Sequence, residues 1–374
     1  MGWHPPIPAS IRDVEDTRWQ VIRAWPGLTA EDYILELLAP DRPGVRAAHL
    51  RSGALELLPA GRDRRLPALR HMAKHGEVLV HRAYRRAVVR SGDQYVKIFR
   101  LRQAADATDR HALMNGLLGA EDFLTPDIVS YTPGCLTLTG LPGRSLFELG
   151  KDPAVSDDVF EKAWQKWSEG WVRQQSLARA LPQRLTLEAL PPRPAAVELA
   201  NLRRIVNLWM LHAHDVPAAE GQRSAVRTAA TRVAQGLLGT EADPLVWSHG
   251  DLHDKQIFVH NPDDSLGLLD FDESGRAEAA ADLANLAVHL QLRLRQQRLS
   301  VQRYQTARRH VIAAAQELRV TPARFDAYAN ATRLRLGCLY SFRPEWAALA
   351  EDFLYPPAAP DTAISPAGHS AGRA

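Results

Sequence analysis

The amino-acid sequence predicts an α+β protein of two lobes, an antiparallel β-sheet lobe over residues 1–141 and a mainly helical lobe over residues 142–355. Three observations carry this reading. Short apolar segments broken by tight turns crowd residues 77–99, as in a meander of strands. From Ser156 onward, apolar residues recur at helical spacing. Between the helical stretches, residues 248–272 have the pattern of a short hairpin rich in acidic residues. A chain of 374 residues can bury a core large enough for two lobes.

Taken in order, Tyr33 to Leu38 reads as a strand, and the proline- and arginine-rich stretch after it as loop. The rest of residues 1–75 has no firm pattern beyond a short helical turn over Asp63 to Leu69. Glu77 to His81, Ala87 to Arg90 and Gln94 to Phe99 are three strands, the last two joined by the tight turn Ser91-Gly92-Asp93. A helix follows from about Ala104 to Leu118, with Leu113, Met114, Leu117 and Leu118 apolar. Cys135 to Thr139 is a strand, and Ser145 caps a helix entered after a glycine-containing connection. From Ser156 to about Ala180, Phe160, Ala163, Trp164, Trp167 and Trp171 share one helical face, a core stripe. Pro182 to Pro194 reads as loop, Ala196 to His212 and Gly221 to Leu238 as helices, and Leu245 to Trp247 as a strand. Ile257 to His260 and Leu266 to Leu269 would pair around a polar turn at residues 261–264. Helices then run from Asp282 to about Tyr340 and from Pro344 to Phe353. From Pro356 the chain is rich in Ala, Pro, Ser and Gly and reads as a disordered tail.

Composition narrows the class. A net charge of +3 on this length, with the arginines scattered, does not suggest a nucleic-acid binder. The chain has only Cys135 and Cys338, so neither a disulfide framework nor a structural zinc site is expected. The start lacks the basic-then-apolar pattern of a signal peptide, and no apolar run reaches membrane-spanning length. The expectation is a cytoplasmic protein with no membrane partner. His249-x-Asp251-x-His253 has the residue types of a metal site, but its neighbours suit another chemistry better.

The segment Ser248-His249-Gly250-Asp251-Leu252-His253-Asp254-Lys255-Gln256, with Leu268-Leu269-Asp270-Phe271-Asp272 after it, places two acidic centres 19 positions apart. Taken singly, a His-Gly-Asp is usually a turn and an Asp after a strand a solvated loop residue. Together they suit phosphoryl transfer, in which one carboxylate orients the attacking hydroxyl and another holds magnesium on nucleotide phosphates. The block resembles the catalytic and metal loops of the aminoglycoside phosphotransferase and choline kinase family, which has a protein-kinase-like fold. The resemblance covers about residues 77–300.

That resemblance implies roles for particular residues. Asp251 would be the catalytic base and His249 its brace. Asp270 would be the principal magnesium ligand, with Asp272 ranked below it and Gln256 standing where the family has Asn. Asp282 matches an Asp that is buried and bonds the catalytic-loop backbone, although a helix N-cap is its plain reading. Lys97, inside an apolar strand, would contact nucleotide phosphates, since burying it unpaired is costly. Backbone groups from Thr139 to Leu141 would receive the adenine edge. Arg85 or Arg86 would reach phosphates or simply face solvent, and Lys255 would meet the transferring group or solvent. Two departures stand out: no Gly-x-Gly-x-x-Gly precedes Lys97, and His111 lies where the family places a Glu, with Asp109 and Glu121 as imperfect substitutes.

The function implied is ATP- and magnesium-dependent phosphorylation of a small-molecule hydroxyl acceptor, of the aminoglycoside, sugar or amino-alcohol class. For a cationic acceptor, Trp346, Glu351, Asp352 and Tyr355 are candidate pocket residues, against a default of helix-surface side chains. A catalytically degenerate kinase-like protein that binds nucleotide or a partner is the alternative, on the strength of Gln256 and His111. A protein kinase is disfavoured by the missing glycine loop and activation segment, and a hydrolase by the lack of a Gly-x-Ser-x-Gly elbow.

Overall fold

A computed structural model describes residues 2–101, 103–177, 183–260 and 265–354, the side chains at 119–121, 183 and 184 excepted. The N-terminal stretch, which has little pattern in sequence, folds into a five-stranded antiparallel meander: β1 (Ser10–Arg12), β2 (Arg18–Pro26), β3 (Asp32–Leu38), β4 (Arg46–Arg51) and β5 (Ala54–Leu57). Its signal is weak because both faces are covered. Tyr33, Leu35 and Leu37 alternate toward the main core, while the intervening Glu36 is buried beneath the next sheet, so polar-apolar alternation is blurred. Glu36 is tolerated there because its Oε1 accepts the backbone N–H of His81 at 2.7 Å.

A short helix, α1 (Leu69–Met72), stands just beyond the helical turn expected over Asp63 to Leu69. The second sheet is also five-stranded and antiparallel, ordered β10-β11-β8-β7-β6, with β6 (Glu77–Arg82), β7 (Arg86–Ser91), β8 (Gln94–Phe99), β10 (Ile128–Thr132) and β11 (Cys135–Thr139). The expected strands are present, each within a residue of its anticipated limits. Lys97 sits in the central strand, opposite Val88 on one side and Leu136 on the other. Between β8 and β10 runs α2 (Gln103–Asp122), which leads into β9 (Phe123–Leu124).

After β12 (Arg144–Ser145) the chain becomes helical. Ser145 and Glu148 form a reciprocal capping box at the start of α3 (Leu146–Lys151). The indole stripe of α4 (Asp157–Leu177) is buried as its periodicity predicts; Trp171 lies 4.6 Å from Trp247, ring centre to ring centre. Part of the stretch expected to be loop is helix α5 (Gln183–Ala189), because the prolines fall outside its turns. Then follow α6 (Ala195–Ala213), α7 (Glu220–Gly239), β13 (Leu245–Ser248), β14 (Ile257–Val259), β15 (Leu266–Leu268), β16 (Gly275–Glu278), α8 (Ala279–Arg295), α9 (Val301–Glu317), α10 (Pro322–Tyr340) and α11 (Ala347–Leu354). The strands β14 and β15 pair antiparallel as expected; the turn at 261–264 and the tail from 355 lie outside the described residues.

One large apolar core joins the helices to the first sheet. Trp19, Val21, Tyr33 and Leu35 share it with Trp209 and Phe342, and Tyr33 lies 5.0 Å from His212 and 6.3 Å from Phe342 between ring centres. The second sheet has only small clusters of its own, one around Leu69, Val89 and Ile98 and one around Phe99, Ala107 and Leu138. No helix among the described residues is long and apolar enough to cross a membrane.

Candidate active site

The His-Gly-Asp turn leaves β13 and is held from below by Asp282. This residue is not an N-cap: it lies in the first turn of α8, three residues past Ala279. Its buried carboxylate accepts the backbone N–H of His249 at 2.7 Å and of Gly250 at 2.9 Å. Burial pushes this carboxyl above its usual range, against the pull of His249 and the two N–H groups. Gly250 has φ +82°, and a Cβ there would stand 2.0 Å from the Glu273 carbonyl oxygen, so glycine is required on both counts. Asn285, one turn along α8 from Asp282, donates to the Leu252 carbonyl at 2.8 Å and fixes the other side of Asp251. Sequence reasoning missed Asn285, although its i, i+3 spacing from Asp282 was visible.

His249 lies between the two loops. Its Nε2 donates to the Leu269 carbonyl at 2.8 Å, since a carbonyl only accepts, and its Nδ1 lies 3.4 Å from the Asp251 backbone nitrogen. The ring stacks on Phe271 at 5.5 Å, and His111 of α2 stacks on Phe271 at 5.3 Å. His111 donates to the Pro126 carbonyl at 2.6 Å, and burial lowers its pKa. In place of a Glu that would pair with the strand lysine, α2 therefore offers an aromatic contact to the loop after β15. Arg110 adds a hydrogen bond from its guanidinium to the Asp272 carbonyl.

Lys97 finds its counter-charges on that loop. Its Nζ stands 2.5 Å from Asp270 Oδ1 and 2.7 Å from Asp272 Oδ1. Burial opposes its charge, but the two carboxylates hold its pKa above the ordinary lysine value. The carboxylates themselves diverge. Burial works against ionising either, yet the Lys97 charge, helped by Arg86, holds Asp270 well below the usual range, whereas Asp272 stays above it beside ionised Asp270. Asp270 has φ +71°, uncommon outside glycine but tolerated by aspartate, and this turns its carboxylate back toward Lys97. Gln256 Nε2 lies 3.4 Å from Asp270 Oδ2. Gln256 thus presents its amide nitrogen to Asp270; with the amide turned over, its oxygen and the two carboxylates would make a hard oxygen-donor set, the type that suits magnesium when phosphates and water complete the shell. Among the described residues no trio of His, Cys, Asp and Glu side chains is placed to hold a metal.

Other candidates fall elsewhere. The Thr139 N–H donates to the Asp127 carbonyl at 3.0 Å, and its Oγ1 accepts the Asp127 N–H, so the donor of this residue is already used within the sheet. Leu141 lies over Gly267 of β15. Lys255 packs its ammonium 4.4 Å from the Phe147 ring centre, and the His253 ring lies 4.9 Å from that of His289. Asp109 is exposed on α2, and the Glu121 side chain is not among those described. Glu351 accepts the Gly2 N–H, Asp352 pairs with Arg295 at 3.5 Å, and Trp346 carries the Arg298 guanidinium, so the first two are engaged elsewhere and none of the three lines the cleft; Tyr355 lies outside the described residues.

Asp251, Asp270 and Asp272 open onto one cleft of about 560 Å³, walled by the β6–β7 turn, α2, α6 and α10. This is a two-lobed α+β kinase-like architecture, with the loops of Asp251 and Asp270 set between an antiparallel sheet and helices. The sequence matches the model of the "Phosphotransferase enzyme family" over residues 76–328, more than half of the chain, and the protein belongs to that family. Among solved structures, a choline kinase from Cryptosporidium parvum aligns with TM-score 0.50 and 10% identity, covering 78% of this chain and 92% of that one. An aminoglycoside phosphotransferase from Streptomyces rimosus aligns with TM-score 0.46 and 20% identity over 68% of this chain and 91% of its own. Comparison with curated proteins gave no match. At such identity the likeness of the choline kinase shows the fold alone.

Proposed function

We propose that the chain is an ATP-dependent phosphotransferase that moves the γ-phosphoryl group to a hydroxyl of a small molecule. The observation that carries this is the convergence on one cleft of Asp251 with Asp270 and Asp272, the two carboxylates that Lys97 engages. Asp251 would orient the acceptor hydroxyl and take its proton as the oxygen–phosphorus bond forms and the bond from γ-phosphorus to the β-phosphate oxygen breaks. His249, Asp282 and Asn285 hold the Asp251 loop in register. Lys97 would meet the nucleotide phosphates, and the linker from Thr139 to Leu141 the adenine edge through its carbonyls and the Leu141 N–H, since the Thr139 and Gly140 N–H groups are held by Asp127 and Asp93. Asp270, with Asp272 and Gln256, would hold magnesium, which when bound neutralises charge on the phosphates. The acceptor classes that the resemblance implies are aminoglycosides, sugars and amino alcohols.

Magnesium-dependent ATP binding and acceptor-stimulated ADP release test this, with Asp251→Ala and Asp270→Ala beside the parent chain. Asp251→Ala is expected to lower kcat by about 10²–10⁴ with nucleotide affinity kept, the usual range for loss of a positioned base. Asp270→Ala should lose turnover and magnesium-dependent nucleotide affinity together. A degenerate kinase-like protein is the second reading, favoured by the engagement of Lys97 with both loop carboxylates; it predicts nucleotide binding without turnover on any acceptor. A folded protein that binds no nucleotide would overturn the first reading.

A further inference from the structure

The cleft has a wall that the transfer chemistry leaves unused. Arg82 and Arg85 flank the turn between β6 and β7, and Arg204 faces them from α6; all three line the same space as Asp251. None has a salt bridge or a side-chain hydrogen bond among the described residues. Arg82 is nonetheless fixed, its guanidinium 4.9 Å from the ring centre of Trp25 on β2, with Nε buried and unpartnered. Burial, then Arg85, Arg86 and Arg204, pull its pKa down to about 10, and burial with Arg100, Arg204 and Arg65 lowers Arg85 likewise. Such a group repels itself until an anion arrives.

Arg204 stands on α6, an element that carries neither Lys97 nor the loop of Asp270 and Asp272, and Arg86, next to Arg85 in the chain, is the arginine that reaches Asp272, at 3.7 Å. Arg193, also in the cleft, is taken by Glu273 at 2.7 Å. Of the other acidic groups lining the cleft, Asp106, Glu198, Asp251 and Asp282, none pairs with any of the three, and Asp282 is held by the His249 and Gly250 N–H groups. A guanidinium fork matches an oxyanion, and three forks lining one space match a phosphate or carboxylate better than any neutral or cationic group.

We propose that the acceptor carries an anionic group, a phosphate or a carboxylate, which docks on Arg82, Arg85 and Arg204 while its hydroxyl is presented to Asp251. This rests on the phosphotransferase reading and sharpens it, away from cationic acceptors. The test compares matched acceptors: glucose 6-phosphate and gluconate against glucose, glycerol 3-phosphate against glycerol, and choline and kanamycin as cations. Turnover is read as ADP release. Binding of inorganic phosphate is read by calorimetry with the nucleotide site filled by ADP and magnesium. The anionic member of a pair should be favoured at least ten-fold in kcat/KM. Arg85→Gln and Arg204→Gln, both exposed and expected to fold, should each weaken phosphate binding ten-fold or more and leave ATP affinity within two-fold. Arg204→Lys should recover part of the loss. Preference for neutral or cationic acceptors, or phosphate binding unchanged in both variants, overturns the proposal, as does a ten-fold loss of ATP affinity with the acceptor ranking unchanged. Failure of the phosphotransferase reading is seen separately, as absence of nucleotide binding by the parent chain.

Discussion

The two five-stranded sheets of this protein are alike in topology and opposite in attachment. The first, β1 to β5, carries none of the proposed chemistry and is set deep in the main core, with Trp19, Tyr33 and Leu35 against Trp209 and Phe342. The second carries Lys97 and has only small apolar clusters of its own. It is tied to the rest of the chain by polar and ionic contacts: Lys97 to Asp270 and Asp272, Arg110 of α2 to the Asp272 carbonyl, and β6 to the first sheet through Glu36. The β6–β7 turn is clamped: Asp63 accepts the Tyr84 N–H at 2.6 Å and faces His81 Nε2 at 3.2 Å, while Ala83 packs with Ala47 and Leu58. A kinase-like hairpin that lacks glycines has here acquired a brace in their place. Apolar burial is non-directional and suits a fixed support, whereas charge pairs can be exchanged for a ligand's charges.

This contrast can be broken by experiment. Trp19→Ala should have the largest effect, about 3–5 kcal/mol of stability as for other buried aromatic truncations, read as one cooperative thermal transition shifted down. A separate early transition, with the rest of the chain unchanged, would show that the first sheet is not part of the common core. Asp63→Asn should cost less, about 1–3 kcal/mol, from the weakened hydrogen bonds at the turn. Its pH signature is the sharper test. Burial by itself would raise the Asp63 carboxyl, but hydrogen bonds from His81 and from the Tyr84 and Arg65 N–H groups take it below the usual carboxylate range. A carboxyl depressed in the folded state stabilises above its unfolded pKa of about 3.9 and loses that contribution as pH falls toward the folded value. The parent chain should therefore lose stability between pH 5 and 3 more steeply than Asp63→Asn; parallel curves would remove the ionised Asp63 from the clamp. Gln256→Asn should be the mildest, with stability unchanged and the magnesium concentration for half-maximal activity altered a few-fold. Complete loss of activity would contradict the placing of Gln256 beside Asp270.

The sequence by itself determined the strands around Lys97, the hairpin of β14 and β15 and the amphipathic α4, because each obeys a local period that burial on one face enforces. It also marked Asp251, Asp270 and Asp282 as a spaced set, and the tertiary structure sets all three on one cleft, the third bonded to the backbone of the His249-Gly250 turn. What only the tertiary structure decided is of another kind. The first sheet has both faces covered, so its alternation is obscured, and Glu36 is buried for a backbone N–H 45 positions away. His111 meets Phe271, and Lys97 its carboxylates, across gaps of more than 150 residues that no local pattern can encode. The grouping of Arg82 and Arg85 with Arg204 is the plainest case: scattered arginines read as solvated surface in sequence, and acquire a joint charge only when a turn and a helix far apart in the chain are folded to face each other.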